Sequence, residues 1–505
     1  MKFIKRLLIG VILIVLLAVF GFWLYSFNFH PDYDGELDLA KLNEEVTVYF
    51  DDYGVPHINA QNQEDAYRSL GYLHAQDRLW QMELIRRIAP GRLSEVFGKN
   101  EKVQQTDIFF SGLGIEENAK KSIAQLDTNS KSYQYTMAYL DGINQFIENG
   151  FTPIEYTLVG LEKEKFTIYD IYNVFGYMSF SFAIAHKTDP LLTEIKEKLG
   201  NDYLAELGIP IKETTATIKN QKNAIIKGEF ARVMNDMYES LPISPFIGSN
   251  SWVIGPDKTK SGKVLFANDP HISFAQPSVW YQSHIKTPDY EMYGYNLALT
   301  PFPLLGHNRD YAYGLTMFEN DDVDFFFEED SPTNSNEYKT PDGYKKYEIR
   351  KKTLKVKDLP DSTYQVRVSK HGPIMNDLIV HINEKRPMAM WWAYTQLPNR
   401  ILDVAYSMSH SSDLSEFKKG AALLHAPGLN VMYGDAENNI AWFASGHLYK
   451  YKEGTNTKTV LNGASGEDEI VEMLPFEVNP QAINPDWNTP AARNPASANP
   501  PLVNA

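Results

Sequence analysis

None of the 505 residues is a cysteine. Disulfides, thiolate metal sites and thiol nucleophiles are therefore excluded together, and covalent chemistry falls to Ser, Thr, Lys or a carboxylate. The serine that stands out is Ser249, in the run Gly248–Gly255, where a polar linker turns into a strand. Alone, a Gly-Ser pair is usually a turn. The common catalytic signatures fail around it. There is no G-x-S-x-G elbow, and no H-E-x-x-H occurs among the twelve histidines. Ser415–Lys418 fits S-x-x-K, but neither S-D-N nor K-T-G accompanies it. No phosphate-binding Gly-rich loop is present, so nucleotide binding has no support. A second cluster, Asp321, Asp322, Val323 and Asp324, reads either as a solvated acidic turn or as a calcium site built from carboxylate and carbonyl oxygens.

The elements that must position these residues follow from periodicity. Lys2, Lys5 and Arg6 precede an uncharged apolar run from Leu7 to Tyr25. As a helix that run rises about 28 Å, close to the hydrocarbon thickness of a bilayer. A cleaved signal has a shorter apolar core and small residues at its end. Here the end is bulky, so residues 1–30 are expected to be an uncleaved signal anchor in the cell inner membrane. Its flanking positive charges keep the body on the periplasmic or outer side. Val46 to Phe50 reads as a strand. Asp65 to Arg87 reads as a helix with Ala66, Leu70, Leu73, Trp80 and Leu84 on one stripe; Asp77 shares it and is expected to be tied to an arginine or to backbone. Further helices are expected over 115–148 and 168–208. The mixed, polar stretch 211–248 reads as a linker. Beyond it short strands dominate, among them 252–254, 264–267, 279–285 and 364–369. Residues 490–505, with four prolines and no periodicity, read as an irregular tail. Acidic residues outnumber basic ones by 64 to 48, a formal charge of −16, which argues against nucleic-acid binding.

Ser249 to Gly255, together with Ala267 to His271, Gly306 to Asn308 and Asp321 to Asp324, closely resembles the penicillin acylase (penicillin amidase) family of N-terminal nucleophile hydrolases. The first half agrees independently, through Asp52 to Ile58, Gly71 to Met82 and Gly91 to Glu95. His371 to Ile374 and Pro427 to Asn430 match further on.

That resemblance implies an α+β protein with a four-layer αββα fold, incomplete at its C-terminus and preceded by one transmembrane helix. It divides the chain into anchor (1–30), helical α-part (31–210), spacer (211–248), β-part (249–489) and tail (490–505). The implied precursor cuts itself between Gly248 and Ser249, and the α and β chains stay paired. The freed α-amino group of Ser249 then serves as base for its own hydroxyl. Such an enzyme hydrolyses linear amides, with β-lactam side chains or N-acyl homoserine lactones as candidate substrates. Met317 is implied as a backbone N–H donor to the oxyanion, and His271 as the residue that orients the α-amino group or lines the pocket. Ile272 and Leu305 are implied as lining for an apolar acyl group. Calcium is implied at Asp321, the Val323 carbonyl and Asp324, with no clear partner from the α-part near Asp189 and Glu194; no organic cofactor is expected.

The sequence departs from the family late. The second oxyanion donor, an Asn side chain, maps to Asn494 by ungapped counting or to Asn499 by the local string. The Arg that follows it in the family, and a large C-terminal part, have no counterpart before Ala505. A C-terminally truncated chain is expected from this. It keeps a second reading open: a membrane-anchored binding protein of the same fold without catalysis.

Overall fold

The apolar N-terminal run forms α1 (Lys2–Ser26), whose side chains are exposed rather than packed on the body. Among the described residues it is the one helix long and apolar enough to cross a membrane. The computed structural model describes residues 2–29, 31, 33–183, 185–209, 227–241, 246–272, 274–318, 321–379, 382–466 and 468–474.

Helix α2 (Gln63–Ile88) is the central helix of the body. Asn62 caps it by accepting from the Asp65 N–H at 2.9 Å. Glu64 and Asp65 in its first turn and Arg86 and Arg87 in its last complement the helix dipole. The expected stripe is present, with Ala66, Leu70 and Leu84 buried and Leu73 and Trp80 partly so. Burial nevertheless extends nearly all round the helix. The helix Lys131–Asn149 crosses it closely: a Cβ on Gly71 would sit 1.9 Å from the Tyr139 carbonyl oxygen, and one on Gly142 equally close to that of Arg68. Asp77 differs from expectation. It accepts from the Tyr33 and Tyr281 hydroxyls, each at 2.9 Å, rather than pairing with an arginine.

Two expected helices are broken. The 115–148 segment divides into Ile115–Ile123 and Lys131–Asn149, because Asp127 and Ser130 build a turn whose Ser130 hydroxyl caps the second helix. The 168–208 segment divides into Ile168–Phe182, Ala185–Leu199 and Asn201–Glu206. The expected linker also holds a helix, Glu229–Ser240, whose Phe230, Met234, Met237 and Tyr238 are buried at helical spacing.

Eight strands form the main sheet. From the first half come β1 (Thr47–Phe50) and β2 (Pro56–Asn59); from the second come β5 (Tyr281–Thr287), β6 (Tyr290–Asn296), β7 (Leu305–His307) and β8 (Tyr311–Met317), followed by Leu429–Asp435 and Ile440–Ser445. Neighbours run antiparallel except β2 and β5, which are parallel. A separate antiparallel hairpin, β3 (Phe246–Ile254) with β4 (Leu265–Ile272), packs against β8 and the strand Leu429–Asp435. Val253, Met432, Trp442 and Ala444 form a small apolar cluster between them. Strand β9 (Val323–Phe327) pairs with Met388–Trp392 in another sheet. Helix and strand are thus mixed throughout the body.

Candidate active site

The hairpin β3–β4 carries the candidate nucleophile into contact with the main sheet. Gly248 and Ser249 lie inside β3, in register with His271 and Pro270 of β4. Proline offers no N–H, so the ladder lacks a donor beside Ser249. The Met317 N–H, at the last residue of β8, donates to Ser249 Oγ at 2.9 Å.

Two asparagines hold that amide in place. The Asn268 side chain accepts from the Leu315 N–H at 2.9 Å and donates to the Leu315 and Asn250 carbonyls at 3.2 and 3.1 Å, joining β4, β8 and β3. It fits because residue 314 is glycine: a Cβ there would sit 2.0 Å from Asn268 Oδ1. On the other side, Asn430 Nδ2 donates to the Met317 carbonyl at 3.0 Å, and the Trp442 indole N–H holds Asn430 Oδ1 at 2.8 Å. Both asparagines sit in the stretches 267–271 and 427–430, where sequence reading saw a likeness but no role. Their roles depend on which strands lie side by side, and no local pattern carries that information.

His271 stands over Gly248 rather than in the cavity. Its Nδ1 lies 3.7 Å from where a Cβ on Gly248 would be. Its Nε2 faces Asp269 Oδ2 at 2.9 Å and Asn250 Nδ2 at 3.3 Å. A carboxylate only accepts, so the shorter Asp269 contact favours Nε2–H, in which case Asn250 Nδ2 does not donate to that nitrogen.

Ser249 opens onto a narrow apolar cavity. Phe175, Met178 and Phe182 from one helix, Leu304, Leu305 and Leu315 from the sheet side, and Ile401, Val404 and Met408 from another helix line it. Leu305 is where it was expected. Ile272 is not: it lies at the end of β4, paired with Phe246, outside this lining. The alternatives Asn494 and Asn499, and the tail from 490 to 505, lie outside the described residues.

The acidic cluster lies around β9. Asp324 is fully buried; the Tyr451 hydroxyl donates to its Oδ2, while its Oδ1 has no hydrogen-bond partner among the described residues. Asp189, from the helix Ala185–Leu199, is also fully buried, with an unpartnered Oδ2. Burial and the charge of Asp321 push the Asp189 carboxyl up to about 8 and also raise Asp324. Asp321 accepts from Thr457 Oγ1 at 2.6 Å and from Lys458 Nζ at 3.2 Å. Orphaned carboxylate oxygens of this kind suit a hard cation. No three such side chains converge on one point among the described residues, and Lys458 already supplies one positive charge. The donor chemistry suits a hard cation, whereas the geometry among the described residues does not gather a ligand set.

Comparison with known proteins agrees with the residues. The family described as penicillin amidase matches residues 45–503. Acyl-homoserine lactone acylase QuiP of Pseudomonas aeruginosa is 26% identical over 444 residues, covering 84% of this chain and 52% of the relative. Penicillin acylase 2 proenzyme of Pseudomonas sp. (strain SE83) is 28% identical, covering 89% and 58%. Penicillin G acylase of Escherichia coli is 25% identical, covering 87% and 58%. The thermostable penicillin G acylase structure from Alcaligenes faecalis overlays 49% of this chain and 45% of its own, at 21% identity and a TM-score of 0.43. The chain thus spans between half and three-fifths of the length of these curated relatives. With a family match over most of its length, this chain belongs to the penicillin amidase family.

Proposed function

We propose that this chain is the precursor of an amidohydrolase that removes apolar acyl groups from small amines, using a serine nucleophile made by cutting its own backbone. The observation that carries the reading is the Met317 N–H aimed at Ser249 Oγ beside an apolar cavity. In the cutting step, Ser249 Oγ attacks the Gly248 carbonyl and its proton passes to the departing Ser249 nitrogen. The resulting ester is hydrolysed by water, leaving a Gly248 carboxylate and a free Ser249 α-amine.

In turnover the α-amine, with an ordinary pKa of about 7.7–8.0, is partly neutral near pH 7 and takes the hydroxyl proton directly or through water. Ser249 Oγ attacks the substrate amide, and the Met317 N–H donates to the oxyanion together with Asn494 or Asn499. The protonated amine leaves, and water frees the acid from acyl-Ser249. The cavity takes the acyl group, with Leu305 on its wall. Its apolar walls suit the side chain of a β-lactam or the acyl chain of a homoserine lactone, the kinds of substrate that the relatives' names point to. The same reading assigns a four-layer αββα fold, a two-chain mature form, and a single-pass inner-membrane anchor in α1 with the body outside the cytoplasm. Calcium would be held by Asp189, Asp321, Asp324 and the Val323 carbonyl, where it would neutralise buried charge and brace β9.

Intact-mass analysis and N-terminal sequencing of the purified chain and of Ser249→Ala test this. The expected result is a new chain beginning Ser-Asn-Ser-Trp in the first and none in the second, with amide turnover only where the cut occurs. A single uncut chain in both, without turnover, overturns the reading.

A further inference from the structure

Away from Ser249, two histidines meet across the rung that joins the two halves of the main sheet. His57 of β2 and His284 of β5 are partners in the parallel pair, and their Nδ1 atoms lie 2.9 Å apart. Each ring's other nitrogen faces a carboxylate: His57 Nε2 lies 3.4 Å from Asp51 Oδ2, and His284 Nε2 lies 3.3 Å from Glu291 Oε1. N–H groups of Val55 and Tyr53 hold the Asp51 carboxyl below the usual carboxylate range, so it is ionised at neutral pH.

Carboxylates accept and do not donate, so each favours an N–H on the Nε2 beside it. A neutral imidazole carries only one N–H. With both rings in that tautomer, two Nδ1 lone pairs lie 2.9 Å apart with no proton between them. Such an arrangement calls for one positive centre between them. A carboxylate on the far nitrogen of a histidine is also how metal-bound imidazoles are oriented and made more basic.

We propose that His57 and His284 form a binding site for one divalent transition-metal ion of the Cu2+ or Ni2+ type, held between their Nδ1 atoms. The spacing selects among metals. With metal–nitrogen bonds of about 2.0–2.1 Å, two nitrogens 2.9 Å apart subtend about 90° at the ion. That is the angle between adjacent ligands in square-planar or octahedral coordination, which Cu2+ and Ni2+ adopt. A tetrahedral zinc site needs a separation nearer 3.3 Å, by the same bond lengths. No set of three or more His, Asp and Glu ligands forms among the described residues, so water fills the remaining positions. The ring exposures, 16% and 18%, leave the site reachable. Tyr49 stacks on the His57 ring at 4.5 Å and 6°, and Tyr293 packs against both rings, which fixes their planes.

The competitor is a proton. One imidazolium would also satisfy the chain from Asp51 to Glu291. Arg309 sits 3.6 Å from Glu291 and draws on the same carboxylate. Metal and protons compete for the same two nitrogens, so bound metal should be released in acid.

The test is Cu2+ titration of the detergent-solubilised full chain, free of a histidine tag, at pH 7.5, by calorimetry and electron paramagnetic resonance. The expected result is one saturable site whose spectrum shows two coordinated imidazole nitrogens, with release by pH 5. His57→Asn and His284→Asn should each weaken binding at least tenfold, and Glu291→Gln should weaken it by a smaller factor. No saturable binding by the unaltered chain, a spectrum without paired imidazoles, or binding indifferent to both histidine substitutions each overturns the proposal. The spectrum of the unaltered chain decides even if a variant fails to fold.

Discussion

At the scale of single residues, the candidate site was half legible. Ser249 and Met317 could be named because both sit in ungapped stretches of family likeness. The side chains that aim the Met317 amide could not, because Asn268 and Asn430 meet it only once β4, β8 and the strand Leu429–Asp435 lie together. Gly314 makes the arrangement testable. A methyl group there would strike Asn268 Oδ1, and overpacking of this kind costs about 1–3 kcal/mol. Displacing the Asn268 amide releases Leu315, two residues before the donor. Gly314→Ala should therefore loosen the amide that holds Ser249 Oγ and slow precursor cutting on the order of 10²-fold, the loss typical of one active-site donor, while circular dichroism shows the fold retained. Asn268→Ala removes the same bonds without the clash and should slow cutting comparably. Cutting at the unaltered rate in both variants, followed on denaturing gels, would show that the network does not position Met317.

Elements were legible where one period ran unbroken, as in α2, and illegible where short periods lay inside polar surroundings. Phe230, Met234, Met237 and Tyr238 keep helical spacing, yet the Lys- and Thr-rich stretch before them masked it. Asp189 of the helix Ala185–Leu199 lay in a region where the sequence showed no clear partner for the acidic cluster, yet the fold buries it beside β9. Its chemistry gives a pH prediction. An ordinary aspartate has a pKa of about 3.9 in the unfolded chain, whereas the folded value is pushed up to about 8. The folded state therefore binds more protons than the unfolded state between these values. The stability this group contributes is full below about pH 4 and is lost as pH rises toward 8. Asp189→Asn removes that slope, so its melting temperature relative to the unaltered chain should be higher at pH 8 than at pH 5. Calcium should reverse the order at pH 8 by stabilising only the chain that keeps the carboxylate. Thermal melts with 5 mM EDTA or calcium, about the range used to saturate weak extracellular-type sites, read both effects. Equal calcium shifts in the two proteins would remove Asp189 from the ligand set.

At the scale of the whole molecule, the sheet decides what a cut at Gly248–Ser249 would leave behind. β2 of the first half sits between β1 and β5, and β5 opens the run of second-half strands. α2 packs against both β2 and β5, so the central helix covers the same seam. Separating the halves would strip β5 of a hydrogen-bonded neighbour and uncover the apolar surface beneath α2. Exposed edges and apolar faces of that kind favour association. Sequence alone could not foresee this, since β1 and β2 lie more than two hundred residues from β5. The physical consequence is that cutting should change covalent mass without changing the particle. After processing, both fragments should elute together on size-exclusion chromatography in detergent at the volume of the uncut Ser249→Ala chain. They should part only after denaturant unfolds the sheet. A fragment beginning at Ser249 that elutes by itself under native conditions would mean that the seam between β2 and β5 does not hold the halves together.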